Sequence, residues 1–295
     1  MQSLFKMPPH EEDVLFILGN GFDVSHGIKS RYNDFKDWVL LQRNQRLIEL
    51  MNIFFSNERE LWSDIETALG EYNEEAILEF CHSIDDIDYD HMMRSVAAIE
   101  DAPDWIFKPI VEEFFESFNQ WVESIDISQA KIKHELFVGS KYLTFNYLET
   151  LEEVYKIPSQ QIVHIHGSRD INNRKYIMGH SSWKDPNLHD TLSGGLYFKQ
   201  DTKNKIIRWM NELKKDTDCI IKNHSPFFNS LTNINTVVVK GHSLSKVDWP
   251  YFEEVAKRVS PNSRWILYYF SKGDLANIQE LIVHLKLTKT ECLSV

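Results

Sequence analysis

Five apolar, β-type runs in this sequence are each followed by polar residues or glycine, and these endings hold the side chains best suited to chemistry. Branched and aromatic residues in such short runs are typical of buried strands. In an open parallel sheet, ligands bind beyond the carboxyl ends of the strands, so the endings are predicted to converge on one crevice. The endings are Gly19-Asn20-Gly21, Asn146, His166-Gly167-Ser168, Gly179-His180 and Gly241-His242-Ser243.

His166 is the candidate general base, because imidazole titrates near neutrality and can take a proton from a sugar hydroxyl or from water. Asn146 cannot act as a base, but its amide can hold a ribose hydroxyl or a water molecule. Both residues also have a structural interpretation, as a histidine that satisfies buried backbone groups and as a turn residue. His164 shares a strand face with His166, and it is interpreted either as buried packing, which we favour, or as a side chain that supports the site residues from behind.

The run Val14–Leu18 leads directly into a turn with two glycines, Gly19 and Gly21. Because glycine has no Cβ, such a turn lets the backbone approach a ligand closely, and phosphates bind there against backbone N–H groups. The spacing is not G-x-G-x-x-G, since Val24 stands where a third glycine would be, and no Gly-Lys-Ser/Thr follows. The turn therefore predicts either a nucleotide site or an ordinary strand-to-helix connection.

Other side chains near these endings have two interpretations each. Asp23 could accept hydrogen bonds from ribose hydroxyls or from backbone amides of the turn. His26 and His180 are candidates for ligand contacts or for loop residues. The spacing of His166, His180 and His242 is not typical of a metal site, so no metal is expected.

The composition favours a globular protein that does not bind nucleic acid. Hydrophobic residues make up 42% of the 295 residues, which predicts a substantial core. The net charge is −12, and an acidic chain repels a phosphate backbone at long range. The three widely spaced cysteines predict reduced thiols, and no apolar run reaches the ~18 residues of a membrane span. A cytoplasmic location with no membrane contact is expected.

Hydrophobic periodicity predicts an α/β core interrupted by helices. Residues 1–44 and 131–295 form the two parts of the core, and residues 45–130 form a helical insertion after the first strand, suited to a lid or a partner surface. An acidic run at 85–90 is interpreted as a solvated loop. After the first strand, strands are predicted at 141–145, 161–165, 175–178, 236–240 and 265–270. Helices outside the insertion are predicted at 30–43, 148–155, 204–221 and 274–284, and after Asp248.

Five segments of this sequence resemble the AbiH family of bacterial phage abortive-infection proteins. Their motifs occur in the family's order and span most of the chain. They are Leu-Gly-Asn-Gly-Phe-Asp-Val-Ser-His-Gly-Ile (18–28), Leu-Trp-Ser-Asp-Ile-Glu (61–66), Thr-Phe-Asn-Tyr (144–147), His-Ile-His-Gly (164–167) and Gly-His-Ser-Leu-Ser-Lys-Val-Asp (241–248).

The same landmarks are more distantly similar to sirtuin-like NAD-binding domains. The matching residues are Gly19, Gly21, Gly27, Ile28, Thr144, Asn146, Tyr147, His166, Gly167, Gly241, Ser243 and Leu244. The departures from that pattern are Asn20, Asp23, His26, Lys29, Leu148 and His242. The paired cysteines of a deacetylase zinc ribbon are missing, which disfavours protein deacetylation.

The resemblance implies a Rossmann-like (sirtuin-like) parallel sheet flanked by helices, with NAD as substrate or ligand. It implies two catalytic residues: Asn146 would position the ribose and water, and His166 would activate a ribose hydroxyl or the attacking water. The remaining landmark residues would form the nucleotide site. They are Gly19, Asn20, Gly21, Phe22, Asp23, His26, Thr144, Gly167, His180, Gly241, His242, Ser243 and Asp248.

Three hypotheses follow for the function. The first is a cytoplasmic anti-phage effector that cleaves the nicotinamide–ribose bond of NAD, an NAD glycohydrolase. The second is a non-catalytic nucleotide sensor whose helical insertion contacts a phage or host protein. The third is a metal-dependent hydrolase or nuclease that acts on nucleotides or nucleic acid. Homo-oligomer formation, the trigger and the true ligand stay open.

Overall fold

The structure, a computed structural model, describes residues 11–55, 61–82, 100–169, 176–182, 184–185 and 197–295, with backbone only at 197–199. The acidic run 85–90 lies outside these residues. The chain forms two compact units: the first comprises residues 1–30, 122–177 and 216–295, and the second comprises 31–121 and 178–215. Much of the predicted insertion 45–130 thus falls in the second unit, while its predicted boundaries stay a prediction.

The first unit is built on a sheet of six parallel strands, which confirms the predicted α/β class with a parallel sheet. Its spatial order is β3-β2-β1-β4-β5-β6, the order of doubly wound dinucleotide-binding folds. The strands are β1 (Val14–Leu18), β2 (Lys141–Thr144), β3 (Ile162–His164), β4 (Thr236–Lys240), β5 (Arg264–Tyr269) and β6 (Thr290–Ser294).

Helices and loops make up the rest of the described chain. They are α1 (Asn20–Ser25), α2 (Tyr32–Leu41), α3 (Gln45–Phe54), α4 (Ile65–Gly70), α5 (Glu74–His82), α6 (Lys108–Ser124), α7 (Thr150–Glu153), α8 (Tyr197–Glu212), α9 (Thr217–Asn223), α10 (Ser225–Asn229), α11 (Trp249–Arg258) and α12 (Lys272–Leu285). A π-helical turn, Pro103–Phe107, precedes α6, and short 3-10 turns lie at Glu11–Asp13, Ser159–Gln161 and Lys246–Asp248. No helix among the described residues is both long and apolar enough to cross a bilayer.

The central strand β1 is buried on both faces, as a strand at the middle of a parallel sheet must be. Leu15 and Ile17 pack into a core with Val237, Val239 and the aromatic side of α11. On the opposite face, Val14, Phe16 and Leu18 pack into a second core. The alternation of side chains along the strand divides the five apolar residues between two cores, which explains why the run is continuously apolar.

The predicted strand at 175–178 is wrong for its described residues, because Tyr176, Ile177 and Met178 belong to no strand. The backbone groups of Ile177 form hydrogen bonds outside any sheet. Its N–H donates to the His166 carbonyl at 2.9 Å, and its carbonyl accepts from the Tyr147 hydroxyl at 3.1 Å. Because the Ile177 N–H and carbonyl are already hydrogen-bonded to a loop carbonyl and a side-chain hydroxyl, this apolar run does not need to pair with a β-strand.

Two other predictions differ from the structure in instructive ways. The predicted helix 204–221 is two helices, α8 and α9, because Asp216 caps α9 by accepting from the Cys219 N–H at 3.0 Å. Strand β6 escaped prediction because Thr290–Ser294 is a polar sheet-edge segment whose residues alternate between exposed and partly buried. The remaining predicted ends shift by one or two residues, and helix 148–155 shortens to α7.

The second unit has an aromatic core and a buried ion pair. The Phe35 ring packs against the rings of Trp62, Phe114 and Phe118 at centroid distances of 5.4–6.1 Å. Lys215 Nζ lies 2.6 Å from Glu66 Oε1, with the lysine side chain fully buried. Because a buried ammonium without a counter-ion is strongly unfavourable, Glu66 on α4 is required to hold the end of the segment 178–215 in this unit.

Replacing Glu66 by glutamine should lower the free energy of unfolding by about 3 kcal/mol, because it leaves the Lys215 charge buried without its partner. Urea denaturation followed by circular dichroism measures this. Glu71→Gln, at an exposed position just after α4, is the matched control and should change the stability by less than about 0.5 kcal/mol. Equal effects of the two variants would contradict this role of Glu66.

Candidate functional site

The carboxyl ends of β1 and β4 meet at the point where the strand order reverses. In folds of this order, ligands bind at that switch point. The turns that follow the two strands are joined by backbone hydrogen bonds: the Gly19 N–H donates to the Lys240 carbonyl at 3.0 Å, and the Gly21 N–H to the Gly241 carbonyl at 2.8 Å. The turn after β1 is therefore fixed against the turn after β4.

Glycine is required on both sides of this contact. A Cβ on Gly19 would lie 2.6 Å from the Gly241 oxygen, and one on Gly21 would lie 2.8 Å from the Gly241 Cα. Gly241 has φ +64°, and a Cβ there would lie 2.2 Å from the Phe22 nitrogen. The sequence interpretation assigned the glycines to the approach of a ligand, and the structure shows that they first allow two backbone turns to touch.

A carboxylate between two imidazoles lies beside this contact. Asp248 Oδ1 is 3.7 Å from His166 Nε2, and Asp248 Oδ2 is 3.6 Å from His242 Nε2. All three side chains are at least nine-tenths buried. The structure thus brings together residues that follow β3 and β4 and the residue that caps α11.

Aromatic rings enclose the two histidines. The Phe145 ring meets His166 and His242 edge-on, at centroid distances of 5.1 and 4.3 Å. Tyr251 contacts His166 at 5.7 Å, and Phe252 contacts His242 at 5.1 Å. Because the rings exclude water, the Asp248 charge acts on the imidazoles at low effective dielectric.

Backbone geometry fixes the tautomer of His242. The Leu244 N–H donates to His242 Nδ1 at 2.9 Å, so Nδ1 is the acceptor and the proton resides on Nε2, which faces Asp248. Leu244 adopts φ +58°, in the left-handed region that a branched residue rarely occupies. This strained residue aims its N–H at the ring and orients His242 towards the carboxylate.

Asn146 follows β2 and is buried at the same edge of the sheet. Its N–H donates to Thr144 Oγ1 at 3.1 Å, and its carbonyl accepts from His164 Nδ1 at 2.8 Å. His164 Nε2 lies 2.9 Å from Glu152 Oε1. Burial by itself lowers the pKa of His164, but the hydrogen bond and charge of Glu152 outweigh it and raise the pKa. His164 thus organises the loop around Asn146.

Asp23 is the most deeply buried carboxyl group at this edge, with 1% of the residue exposed. Burial raises its pKa to about 7, and the neighbouring Thr150 hydroxyl, His164 and Asn146 offset only part of the rise. Its carbonyl anchors the following turn by accepting from the N–H of His26 at 2.9 Å. The carboxyl itself faces the start of α7 and the end of β2.

Two predicted ligand contacts are engaged within the protein. The Asn20 amide donates to the Ser30 carbonyl at 2.7 Å and accepts from the Ser30 hydroxyl at 2.6 Å. His26 Nδ1 donates to the Phe22 carbonyl at 2.7 Å, and Nε2 accepts from the Tyr155 hydroxyl at 2.7 Å. Burial lowers the pKa of His26. These two residues therefore hold the glycine turn and α1 in shape.

The other predicted residues are distributed as follows. Phe22 packs its ring on His26 at 4.6 Å, Gly167 adopts φ +87°, and Ser243 is exposed. His180 belongs to the second unit, where its Nε2 donates to the Met210 carbonyl at 2.7 Å. The predicted ligand role of His180 stays a prediction.

Sequence reasoning missed Thr150 and the pair formed by Ser25 and His134. Ser25 Oγ lies 2.7 Å from His134 Nε2 and donates to the Phe22 carbonyl at 2.6 Å. Burial lowers the pKa of His134 to about 4. Nothing in the spacing of these residues indicates that they meet, because 109 positions separate Ser25 from His134. Among the described residues, no group of three or more His, Cys, Asp or Glu is arranged to hold a metal ion.

The family model of bacteriophage abortive infection AbiH matches residues 15–269. The chain belongs to the AbiH family. The predicted resemblance to the AbiH family is thereby confirmed, while the more distant similarity to sirtuin-like domains stays a prediction, and membership implies a role in phage abortive infection. Neither the curated proteins nor the solved structures contain a match. Every residue of the site described above lies inside the matched segment, whereas the edge strand β6 lies beyond it.

Gly241→Ala in this AbiH protein should lower the free energy of unfolding by more than about 2 kcal/mol, because it forces a left-handed alanine against the turn after β1. Urea denaturation provides the measurement. Gly273→Ala is the control, since its Cβ would meet only Ser271 Oγ, at 3.6 Å, inside α12. We expect the control to be neutral or slightly stabilising. If Gly241→Ala lowered the free energy of unfolding no more than the control does, the contact between the turns would be contradicted.

Asp23→Asn should stabilise the protein at alkaline pH. A carboxyl whose pKa is raised on folding carries no penalty below its unfolded pKa, and the penalty grows as the pH rises towards the folded pKa. The gain should reach up to about 4 kcal/mol at about pH 8 and shrink towards zero near about pH 4. Urea titrations across this range test it, with the exposed Asp218→Asn as control. A gain that does not vary with pH would refute the assignment.

Proposed function

We propose that this AbiH protein binds NAD at the carboxyl edge of β1–β4 and hydrolyses its nicotinamide–ribose bond during phage defence. The observation that carries the proposal is the cluster of His166, Asp248 and His242 at the switch point of a sheet with the dinucleotide-binding strand order. A buried imidazole with a carboxylate nearby is suited to general base catalysis.

The proposed reaction consumes one water molecule. Water attacks C1 of the ribose as the bond from C1 to the nicotinamide nitrogen breaks. The bonding electrons go to nicotinamide, which leaves as a neutral molecule, and ADP-ribose is the other product. His166 takes the proton from the attacking water, and Asp248 stabilises the imidazolium that forms.

Asn146 and His242 have supporting roles in this proposal. The Asn146 backbone is held at both its N–H and its carbonyl, so its amide side chain has a fixed starting position for a ribose hydroxyl or the water. His242 presents a fixed Nε2–H to Asp248 and competes for the same carboxylate as His166. The carboxylate is thereby kept between the two rings.

A second candidate function is a sensor that binds the nucleotide without turnover. The observation in its favour is the separation between His166 and Asp248, which at 3.7 Å exceeds a hydrogen bond. In this case a phage or host protein would recognise the nucleotide-bound form of the protein. Saturable NAD binding without products would select this candidate over the hydrolase.

Purified protein incubated with NAD should release nicotinamide and ADP-ribose, detected by chromatography with mass spectrometry. His166→Ala and Asn146→Ala should each reduce the rate at least a hundredfold, as expected for loss of a general base or of a positioning group. His284→Ala is the matched control, because this histidine is partly exposed on α12 and pairs with Glu253. It should keep the wild-type rate.

Measuring nicotinamide and ADP-ribose in infected cells shows whether the protein hydrolyses NAD while it acts against phage. If wild-type protein forms no products under conditions in which it protects cells from phage, the hydrolase proposal is wrong. Equal rates for wild type and His166→Ala would also overturn the assigned role of His166.

A further inference from the structure

The backbone amides of the glycine turn are mostly engaged within the protein. Three of the four N–H groups from Gly19 to Phe22 donate to protein carbonyls: Gly19 to Lys240 at 3.0 Å, Gly21 to Gly241 at 2.8 Å, and Phe22 to Gly19 at 2.9 Å. The turn therefore has few backbone donors left for a phosphate. An anion at this edge of the sheet would take its hydrogen bonds mainly from charged side chains.

Lys240 supplies such a side chain at the carboxyl end of β4. It lies on the same face of the strand as Val238, and its Nζ is 4.4 Å from the centroid of the Tyr268 ring on β5. Burial lowers the pKa of Lys240, and the charge of Glu135 offsets only part of this effect. Within the described ranges no carboxylate forms an ion pair with Lys240. A partly buried ammonium that rests on an aromatic ring is thus left without a close counter-ion.

Two further basic residues face Lys240 from the segment before β2. Burial, followed by the charges of Lys240, His26 and Lys133, lowers the pKa of His134 to about 4. The His134 ring packs on the Phe22 ring of α1 at 5.4 Å, so it lies beside the glycine turn. Because the charges of both lysines act on the same imidazole, Lys240, Lys133 and His134 form one basic cluster.

Hydrogen bonds to the end of α1 hold the basic cluster in place. Lys133 Nζ donates to the Ser25 carbonyl at 2.6 Å, and an ammonium has two more donors to offer. The Ser25 hydroxyl donates to the Phe22 carbonyl, so it accepts from His134 Nε2 at 2.7 Å. In the part of the chain that the structure describes, His134 Nδ1 has no hydrogen-bond partner. A proton taken up at Nδ1 would donate to a bound anion.

The basic cluster is accessible to solvent. Lys133 is exposed, and His134 and Lys240 are partly exposed. The whole chain carries a net charge of −12, so most of its surface repels anions. A local group of cations in such a chain is where an anionic ligand is attracted.

We propose that Lys240, Lys133 and His134 form a subsite for a phosphate-class anion, a diphosphate above all. The donors come from two separate segments and surround one solvent-accessible position. A diphosphate presents several acceptor oxygens and more than one negative charge, and hydrogen bonds between ionised partners are the strongest that such side chains make. The subsite uses side chains at the end of β4 instead of the amides of the glycine turn.

The assignment of this anion to the diphosphate of NAD rests on the proposed function and deepens it. His166 and His242 lie against Phe145, a residue of the core on the face opposite to Val238. A dinucleotide binds across the crevice at the switch point, so its diphosphate and its nicotinamide–ribose bond would lie on different faces. The proposed function assigns no residue to the diphosphate, and Lys240 fills that role.

The first measurement uses inorganic diphosphate alone, titrated into the full chain by calorimetry in metal-free buffer. Wild-type protein should bind it saturably, and more weakly as the ionic strength rises. Lys240→Met, which is similar in size but uncharged, should weaken binding at least about tenfold, while Lys240→Arg should stay within about threefold. Lys222→Met, at an exposed position of α9, is the matched control and should leave the affinity unchanged. A thermal melt confirms that each variant is folded.

An NMR titration of the His134 ring tests whether the anion lies in the basic cluster. Bound diphosphate should raise the pKa of His134 from about 4 to at least about 5, because its negative charge offsets the repulsion from the two lysines. The rise should be absent in Lys240→Met at the same diphosphate concentration. If His134 titrates identically in free and saturated wild-type protein, the anion lies elsewhere and the subsite is wrong.

The second measurement separates the phosphates from the rest of the nucleotide. In a His166→Ala background, which avoids turnover, Lys240→Met should weaken NAD binding at least about tenfold. Nicotinamide riboside, which carries no phosphate, should bind equally with and without the substitution. If Lys240→Met weakens both ligands to the same extent, Lys240 acts through the structure and the subsite is contradicted.

The outcomes separate this inference from the proposed function. If wild-type protein hydrolyses NAD but Lys240→Met binds diphosphate and NAD as tightly as its parent, the subsite is wrong and the proposed function stands. If diphosphate binds through Lys240 while the protein neither binds nor hydrolyses NAD, the subsite stands and the proposed function fails. A wild-type protein that shows no saturable diphosphate binding overturns the subsite.

Discussion

The contact between the turns after β1 and β4 determines where every other group at this edge can be. Two backbone hydrogen bonds join the turns, and a methyl group at Gly19, Gly21 or Gly241 would overlap the opposing backbone. The turns touch without side chains between them, and Phe22 and Asp23 lie in α1, which begins directly after Gly19. The strand order places this contact at the switch point, where the direction of chain winding reverses.

Charge at this edge is arranged in two separate buried groups. Around Phe145, one carboxylate lies between two imidazoles inside an aromatic enclosure. Around Asn146, carboxyl groups outnumber the cations that pair with them, and burial holds the pKa of Asp23 at about 7. The first group places one carboxylate beside two imidazole rings, whereas in the second the Thr150 hydroxyl and the Asn146 side chain face the Asp23 carboxyl.

The sequence was sufficient to predict the parts of the fold that depend on burial alone. Val14–Leu18 and Thr236–Lys240 were predicted at their observed bounds, because strands buried on both faces are continuously apolar. The meeting of His166 and His242 followed from the rule that parallel strands end at one edge. The packing of Thr150 against the Asp23 carboxyl did not, since Thr150 fits the pattern of an ordinary helix residue. Its significance depends on which side chains surround Asp23, and only three-dimensional packing specifies that.

Errors in the prediction have a common physical origin. The run 175–178 is apolar like a strand, but within it the Ile177 N–H donates to the His166 carbonyl and the Ile177 carbonyl accepts from the Tyr147 hydroxyl. β6 is a strand without an apolar signature, because an edge position leaves alternate side chains in water. In both cases the decision rests on hydrogen-bond partners supplied by distant segments. A single sequence does not encode such partners in its local pattern.

The long separation between β1 and β4 along the chain has a consequence for how this protein reaches its native state. Residue 18 must find residue 240 before the centre of the sheet exists, and more than two hundred residues, including the helices of the second unit, intervene. Closing so large a loop is entropically costly and slow, while the helices form from local contacts. The cluster of His166, His242 and Asp248 at the sheet edge is therefore among the last parts of the fold to form. During synthesis on the ribosome it stays incomplete until β4 has emerged.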